Sequence, residues 1–174
     1  MAAIFQLPTE IWVVDTSSII QVRRDVPRKH QRRVFAALTR LTKAGVLTFP
    51  RAVLDELDRH HDPHATIADL PYQWAFDNKE EATRIECSLE DLKGVLAKVP
   101  DVLDPDRTGI EEADHHVLAL AQLLQRRGAS ASIVTEDRSD KPTKLSLTTA
   151  AGILQLPVVP LHAFLRIHGI EVDI

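Results

Sequence analysis

The sequence predicts an α/β fold, a three-layer α/β/α sandwich with a mainly parallel central sheet, formed by a single domain over residues 1–174. Short apolar runs alternate with longer segments of helical periodicity, which is typical of parallel sheets covered by helices. Two of the apolar runs are closely followed by acidic residues. The chain has 174 residues, 44% of them hydrophobic, which is enough for one core but too short for two ordinary domains.

The first predicted strand covers residues 11–14 and ends at Asp15. Its unbroken apolar composition is typical of a buried parallel strand, and the small polar residues 16–18 predict a loop after it. Residues 31–44 place apolar side chains at helical spacing, and Gly45 follows where a helix commonly ends. These signals predict a strand, a loop and a helix.

A second strand is expected over residues 46–49. Proline suits the first turn of a helix, so a helix is expected over residues 50–60, with Glu56 near its middle. A short helix is expected over residues 66–76, between two prolines, and helical periodicity resumes over residues 79–99.

The strongest helical pattern covers residues 110–125 and carries Asp114 in its first turns. Residues 131–134 form another apolar run, which Asp137 follows closely. The rest of the chain predicts a helix over 145–154, a strand over 157–159 and a helix over 161–168. Ligand sites in parallel sheets form beyond the carboxyl ends of the strands, where Asp15 and Asp137 are expected.

Composition excludes several classes of protein. The single cysteine, Cys87, cannot form an intrachain disulfide or a thiolate zinc site. No apolar run reaches the roughly 20 residues of a membrane helix, and no basic start leads into an apolar signal segment. The formal net charge of −4 argues against a general polyanion binder. We therefore expect a cytoplasmic protein with no membrane association.

Four acids, two after predicted strands and two on predicted helices, predict a metal site if they share one cavity. Like charges brought together repel one another unless protons or cations neutralise them. Oxygen ligands without a cysteine or histidine set suit Mg²⁺ or Mn²⁺ better than zinc. Such a metal can activate water for attack on a phosphodiester and stabilise the leaving oxygen. The candidate ligands are Asp15, Glu56, Asp114 and Asp137.

Each acid also has an ordinary structural interpretation, which stays open at this point. Asp15 can cap the following helix, and Glu56 can be a solvated helix residue. Asp114 can favour a helix start through the macrodipole, and Asp137 can be a turn residue.

Four segments in this order resemble the PIN-domain nucleases, a family that includes the VapC toxins. They are Trp-Val-Val-Asp-Thr-Ser-Ser at 12–18, Val-Leu-Asp-Glu-Leu at 53–57, Ala-Asp-His-His-Val-Leu-Ala-Leu-Ala at 113–121 and Ile-Val-Thr-Glu-Asp at 133–137. The resemblance implies a divalent-metal-dependent endoribonuclease that cleaves single-stranded RNA. It implies Asp15, Glu56, Asp114 and Asp137 as ligands, and Thr16, Ser17 and Thr135 as hydroxyl groups that orient them.

The resemblance has one departure and three further implications. VapC toxins tend to follow the last acid closely with another acid and an aromatic residue, which this chain lacks. The fourth ligand is therefore open between Glu136, Asp137 and Asp140. The family also implies the toxin of a toxin–antitoxin pair, a protein antitoxin as partner and a homodimer.

A basic segment over residues 23–33 is the candidate surface for RNA phosphates. Its basic residues are Arg23, Arg24, Arg28, Lys29, Arg32 and Arg33. The alternative is a solvated helix face. His115 and His116 follow Asp114, so one of them can face the cavity as a proton carrier, although packed or surface histidine is the commoner role.

Two other functions compete with the nuclease. A catalytically silent PIN-like scaffold that binds RNA or protein would keep the same acids. A phosphotransfer domain of the haloacid-dehalogenase or receiver type also places an aspartate after its first strand. Ser17 stands where the phosphatase needs its second acid, which disfavours that alternative.

Overall fold

A computed structural model describes residues 6–172 and has the α/β architecture that the sequence predicts. Helices flank a four-stranded, all-parallel sheet in a three-layer α/β/α sandwich. The strand order is β2-β1-β3-β4. The strands are β1 (Glu10–Val14), β2 (Leu47–Thr48), β3 (Ser130–Val134) and β4 (Val158–Val159).

Nine α-helices and one 3₁₀ turn, Pro100–Val102, connect these strands within the described residues. The helices are α1 (Thr16–Asp25), α2 (Arg28–Lys43), α3 (Arg51–His60), α4 (Leu70–Asp77), α5 (Lys79–Ala82), α6 (Leu89–Lys98), α7 (Asp114–Arg126), α8 (Leu147–Ile153) and α9 (Leu161–Ile167). None of the described helices is both long and apolar enough to cross a membrane.

The core is built around the central strands β1 and β3. Val13 pairs with Ile133 in the parallel register, and both side chains are fully buried. Helix α7 packs on both strands, and its buried side chains include Val117, Leu120 and Leu124. Fully burying an aliphatic side chain of this size contributes about 1.5–3 kcal/mol, so these residues hold α7 firmly on the sheet.

The sheet topology determines where a site can form. From β1 the chain crosses to β2 on one side, and β3 later joins the other side of β1. The carboxyl ends of β1 and β3 therefore border a switch point, where α/β proteins place their ligands. The backbone amide of Asp15 donates to the carbonyl of Val134 at 2.9 Å, which holds the two strand ends together.

The structure corrects several of the expected element bounds. Residues 16–18 form the first turn of α1 rather than a loop, and α2 begins at Arg28 rather than at residue 31. The segment 79–99 divides into α5 and α6, because a capping box between Ser88 and Asp91 starts a new helix. Helix α7 begins at Asp114 rather than at residue 110.

Candidate functional site

A cavity of about 370 Å³ lies at the carboxyl edge of β1 and β3 and brings the four predicted acids together. Three helices and the segment after β3 contribute its walls. The lining residues are Asp15, Thr16, Ser17, Ile20, Gln21, Arg24, Glu56, His60, Asp114, Glu136, Asp137 and Lys144. We call it the carboxylate cavity.

Asp15 lies at the floor of this cavity and is only 3% exposed. Its Oδ2 atom accepts hydrogen bonds from Ser17 Oγ at 2.7 Å and from Thr135 Oγ1 at 2.9 Å. Burial raises the pKa of Asp15 above its usual value, and the charge of Glu56 adds to that, although the two hydroxyl groups oppose the shift. A charged Asp15 therefore needs a further positive partner.

Asp114 is the first residue of α7 and faces Asp15 across the carboxylate cavity. Burial, followed by the charge of Asp15, raises the pKa of Asp114 to about 7. Lys144 limits that rise, because its Nζ donates to Asp114 Oδ2 at 2.6 Å. Burial acts to lower the pKa of Lys144, but pairing with Asp114 outweighs it and the pKa is raised. Lys144 is thus a cation held among the acids.

Glu56 enters the carboxylate cavity from α3 and is fixed by the start of α7. The backbone amide of Ala113 donates to Glu56 Oε2 at 3.1 Å. His60 lies one helical turn further along α3 and lines the same cavity, as does Arg24 near the end of α1. Asp55, which precedes Glu56 in the sequence, is exposed and lines a different cavity.

The structure separates the three candidates for the fourth acid. Glu136 lines the carboxylate cavity, but its oxygens accept from the Leu161 amide at 2.6 Å and from Arg138 at 3.1 Å. Asp137 lines it too, and its carboxylate accepts one bond among the described residues, from the Leu147 amide to Oδ2 at 2.8 Å.

Asp140 is exposed and does not line the carboxylate cavity. Its Oδ1 accepts from the Ser146 amide at 2.8 Å. Asp137 is therefore the best-placed fourth acid.

The predicted hydroxyl groups behave differently from one another. Ser17 and Thr135 both donate to Asp15, and they lie 3.1 Å from each other. Thr16 lines the cavity, but its buried Oγ1 has no hydrogen-bond partner among the described residues, so the expected hydroxyl role of Thr16 is not observed. Asp15 also caps α1 by accepting from the Ser17 amide, so its structural role coexists with its place in the cavity.

The basic segment of residues 23–33 reaches this site at one point. Arg24 lines the carboxylate cavity, whereas Arg23, Arg28 and Arg32 line a neighbouring cavity of about 380 Å³. All six basic side chains of the segment are exposed. The segment is therefore an open cationic surface that begins at the edge of the acids.

The two histidines of α7 turn away from the carboxylate cavity. His116 Nε2 lies 2.5 Å from Glu111 Oε1, and His115 Nε2 lies 3.4 Å from the same oxygen. Neither histidine lines the carboxylate cavity, which agrees with the commoner packed or surface role and not with the alternative of a proton carrier that faces the cavity.

Four lining residues, Ile20, Gln21, His60 and Lys144, were not among the site residues that the sequence predicts. Lys144 lies in a polar connection 30 residues from Asp114. The sequence shows Lys144 only as a cation downstream of Asp137 and does not indicate which residue it pairs with. His60 follows Glu56 by four residues on one helix, so the spacing that aligns side chains on a helix face was available.

The residues of the carboxylate cavity fit a hard divalent cation. Burial is the largest cause of the raised pKa values of Asp15 and Asp114, and neighbouring acids add to it, so a bound cation would favour the charged form of both. Within the described part of the chain, the one set of three potential ligands with all ligand atoms within 4.8 Å of one another is Glu111, His115 and His116. The cavity acids are spaced more widely, which suits an ion that keeps several water ligands, as Mg²⁺ does.

Comparison with known proteins places the chain in a family without assigning an activity. No curated protein matches the chain. The profile of one family, described as "Domain of unknown function (DUF4411)", matches residues 12–172. This match extends from β1 to the residues after α9 and includes every residue that lines the carboxylate cavity. The chain therefore belongs to the DUF4411 family.

Proposed function

We propose that this protein is a PIN-type endoribonuclease that uses Mg²⁺ or Mn²⁺ to cleave single-stranded RNA. One observation carries the proposal: acids from four distant parts of the chain line one cavity at the switch point of a parallel sheet. These acids are Asp15, Glu56, Asp114 and Asp137, the residues that the resemblance to PIN nucleases implies as ligands.

The acids would share the work of holding the metal. Asp15 and Asp114 have raised pKa values with burial as the largest cause, so they gain most from a cation. Ser17 and Thr135 fix the orientation of Asp15, and the Ala113 amide fixes Glu56. The bound metal would activate water for attack on a phosphodiester and stabilise charge on the leaving oxygen.

The cations at the cavity give the substrate its position. Lys144 would contact a scissile phosphate once the metal takes over neutralisation of Asp114. Arg24 would lead the RNA backbone toward the basic segment of residues 23–33. Phosphate contacts of this kind position a nucleic acid without reading its sequence.

The competing proposal is a silent PIN-like scaffold, and a cleavage assay separates the two. Untagged protein is incubated with labelled single-stranded RNA, with Mg²⁺ or Mn²⁺ and with excess chelator. Cleavage that needs the metal and disappears in Asp15→Asn supports the nuclease. RNA binding without cleavage under all these conditions would favour the scaffold, and cleavage that persists in chelator would overturn the metal mechanism.

The resemblance to VapC toxins carries further proposals on the biology of the protein. We place it in the cytoplasm as the toxin of a toxin–antitoxin pair, with a homodimeric enzyme and a protein antitoxin as its partner. Expression of the intact protein alone should then slow growth, and the Asp15→Asn variant should not. Normal growth while active nuclease is present in the same cells would reject the toxin role and leave the nuclease proposal intact.

A further inference from the structure

Glu111, His115 and His116 form a compact group at the start of α7, outside the carboxylate cavity. One ligand atom from each residue lies within 4.8 Å of the other two. Ligands of a tetrahedral zinc ion at about 2.0–2.2 Å must lie roughly 3–4 Å from one another. Small side-chain movements would bring these three atoms to that spacing. We call the group the histidine cluster.

The ring nitrogens of His115 are incompletely hydrogen-bonded in the described part of the protein. Its side chain is only 8% exposed, and its Nδ1 has no hydrogen-bond partner among the described residues. Its Nε2 lies 3.4 Å from Glu111 Oε1, which is longer than an ordinary hydrogen bond. A buried imidazole usually has partners for its ring nitrogens, and a metal bound at Nε2, the nitrogen on the side of Glu111, would supply one of them.

An entry path leads to the histidine cluster. Glu111 and His116 line a cavity of about 300 Å³ together with Cys87. Cys87 is not a member of the set whose ligand atoms all lie within 4.8 Å of one another. We therefore assign the remaining coordination positions to solvent rather than to Cys87.

From this geometry we propose that Glu111, His115 and His116 bind a first-row transition metal of the zinc type, at a site separate from the carboxylate cavity. Two imidazoles and one carboxylate are a ligand set that zinc takes in proteins, whereas Mg²⁺ prefers oxygen ligands alone. The proposal stands on these three residues and does not depend on nuclease activity.

The bound metal has a structural consequence for the neighbouring residues. The carbonyl of Glu111 accepts from Arg59 Nη2 at 2.6 Å, and the Ala113 amide holds Glu56. A metal that joins Glu111 to His115 and His116 would therefore clamp the segment before α7 to the helix itself. It would stiffen the turn that carries Asp114 and the amide that positions Glu56.

Metal titration tests the proposal on untagged full-length protein, because a histidine tag would bind the same metals. After chelator treatment, Co²⁺ is added as a spectroscopic probe and Zn²⁺ is added in competition. We expect one equivalent of Co²⁺ to give visible d–d absorption that Zn²⁺ removes and Mg²⁺ does not. Glu111→Gln and His116→Asn should each weaken Zn²⁺ binding at least about tenfold, since even changes beyond the direct ligands have effects of this size.

Two controls make the result specific. His64→Gln removes an exposed histidine outside the cluster, and Asp15→Asn alters the carboxylate cavity; both variants should bind Zn²⁺ as the parent does. Circular dichroism verifies that each variant is folded. Equal Zn²⁺ affinity of the parent, Glu111→Gln and His116→Asn would overturn the proposal, as would the absence of Co²⁺ absorption. A thiolate-to-Co²⁺ charge-transfer band would overturn the assignment of three ligands by showing that Cys87 coordinates.

Discussion

The carboxylate cavity and the histidine cluster meet at one peptide bond, yet their chemistry differs. Asp114 faces Asp15 and Lys144, whereas the next residue, His115, faces Glu111. Successive residues on a helix point in directions about 100° apart, because the α-helix has about 3.6 residues per turn. The start of α7 therefore serves two sites with adjacent residues.

Charge balance explains why the two sites should bind different metals. In the carboxylate cavity, burial and mutual repulsion raise the pKa values of Asp15 and Asp114. In the histidine cluster, the pKa values of His115 and Glu111 are lowered, so an uncharged base stands beside a charged carboxylate. On the functions proposed above, the first site would take a hard cation with water ligands and the second a borderline metal.

The largest effect is expected on RNA cleavage. Asp15→Asn, Asp114→Asn and Glu56→Gln each remove one negative oxygen from the carboxylate cavity with little change in shape. Each should lower Mg²⁺-dependent cleavage at least about 100-fold, since loss of one group that stabilises developing charge commonly has such an effect. Single-turnover cleavage of labelled RNA measures the change.

The matched control for this prediction is Asp55→Asn, because Asp55 neighbours Glu56 but is exposed and outside the carboxylate cavity. It should retain most of the activity. Equal losses in Asp55→Asn and Glu56→Gln would contradict a specific role for the cavity. Zn²⁺ binding at the histidine cluster should survive all four substitutions, and its loss in Asp114→Asn would show that the two sites are not independent.

The second prediction concerns stability without metal. The pKa of Asp114 is raised from 3.8 to about 7, so the folded state binds more protons than the unfolded state between those values. Stability therefore falls as the pH rises from about 4 to about 7. One pKa unit corresponds to about 1.36 kcal/mol of free energy. Asp114→Asn removes the unfavourable ionisation but also weakens the contact with Lys144. We therefore expect its free energy of unfolding at pH 8 to exceed that of the parent by about 1–3 kcal/mol.

Urea unfolding in chelator at several pH values measures this gain, which should vanish near pH 4. The histidine cluster should act in the opposite direction, since a lowered pKa of His115 means that stability is lost as the pH falls through its ordinary value of 6.5. The contribution of His115 is common to the parent and to Asp114→Asn, so it does not change the difference between them. A constant difference between the two proteins at every pH would contradict the assignment to Asp114.

The fold and the position of the carboxylate cavity followed from local sequence patterns. Apolar runs followed by Asp15 and Asp137 predicted strand ends, and parallel topology places strand ends at one edge. The start of α1 was missed, because Thr and Ser are weak helix formers but strong caps and here occupy the first turn. The start of α6 was missed too, although Ser88 and Asp91 carry a capping-box signature.

Long-range pairs were beyond the reach of these patterns. Nothing in the sequence around Lys144 indicates that it pairs with Asp114, because the contact depends on how the segment after β3 folds back. The histidine cluster was also missed. His115 and His116 were considered in relation to Asp114, whereas their partner, Glu111, precedes the helix. Ligands that do not follow the period of a helix or strand can be identified only from the tertiary structure.

The third prediction uses Lys144 to test how the metal-free carboxylate cavity is neutralised. Lys144→Met keeps a long side chain but removes the cation next to Asp114, whose charge then lacks its closest partner. In chelator at pH 8 we expect a loss of about 1.5–3 kcal/mol in the free energy of unfolding, the range of hydrogen bonds to charged groups. Saturating Mg²⁺ should reduce this loss, because the metal supplies the missing charge.

Lys141→Met is the control, since Lys141 is an exposed lysine of the same connection and does not line the carboxylate cavity. It should change stability little under either condition. Equal destabilisation of Lys144→Met with and without Mg²⁺ would mean that Lys144 and the metal do not share Asp114.

The smallest effect is expected on RNA binding by the basic segment of residues 23–33. Arg24 of this segment lines the carboxylate cavity. None of its residues lines the cavity beside the histidine cluster. The double variant Arg28→Gln with Arg32→Gln should weaken RNA binding a few-fold across unrelated sequences. The slope of log affinity against log salt should flatten by about 0.7 for each phosphate that the variant no longer neutralises. Fluorescence anisotropy with chelated protein at several salt concentrations measures both quantities.

A second double variant separates a local effect of this segment from an effect of net charge. Arg40→Gln with Lys43→Gln removes the same charge from exposed positions near the other end of α2, and should leave the slope closer to that of the parent. Identical slopes in the two double variants would mean that net charge, and not this segment, attracts RNA. Zn²⁺ binding unchanged in both would keep the histidine cluster outside the RNA path.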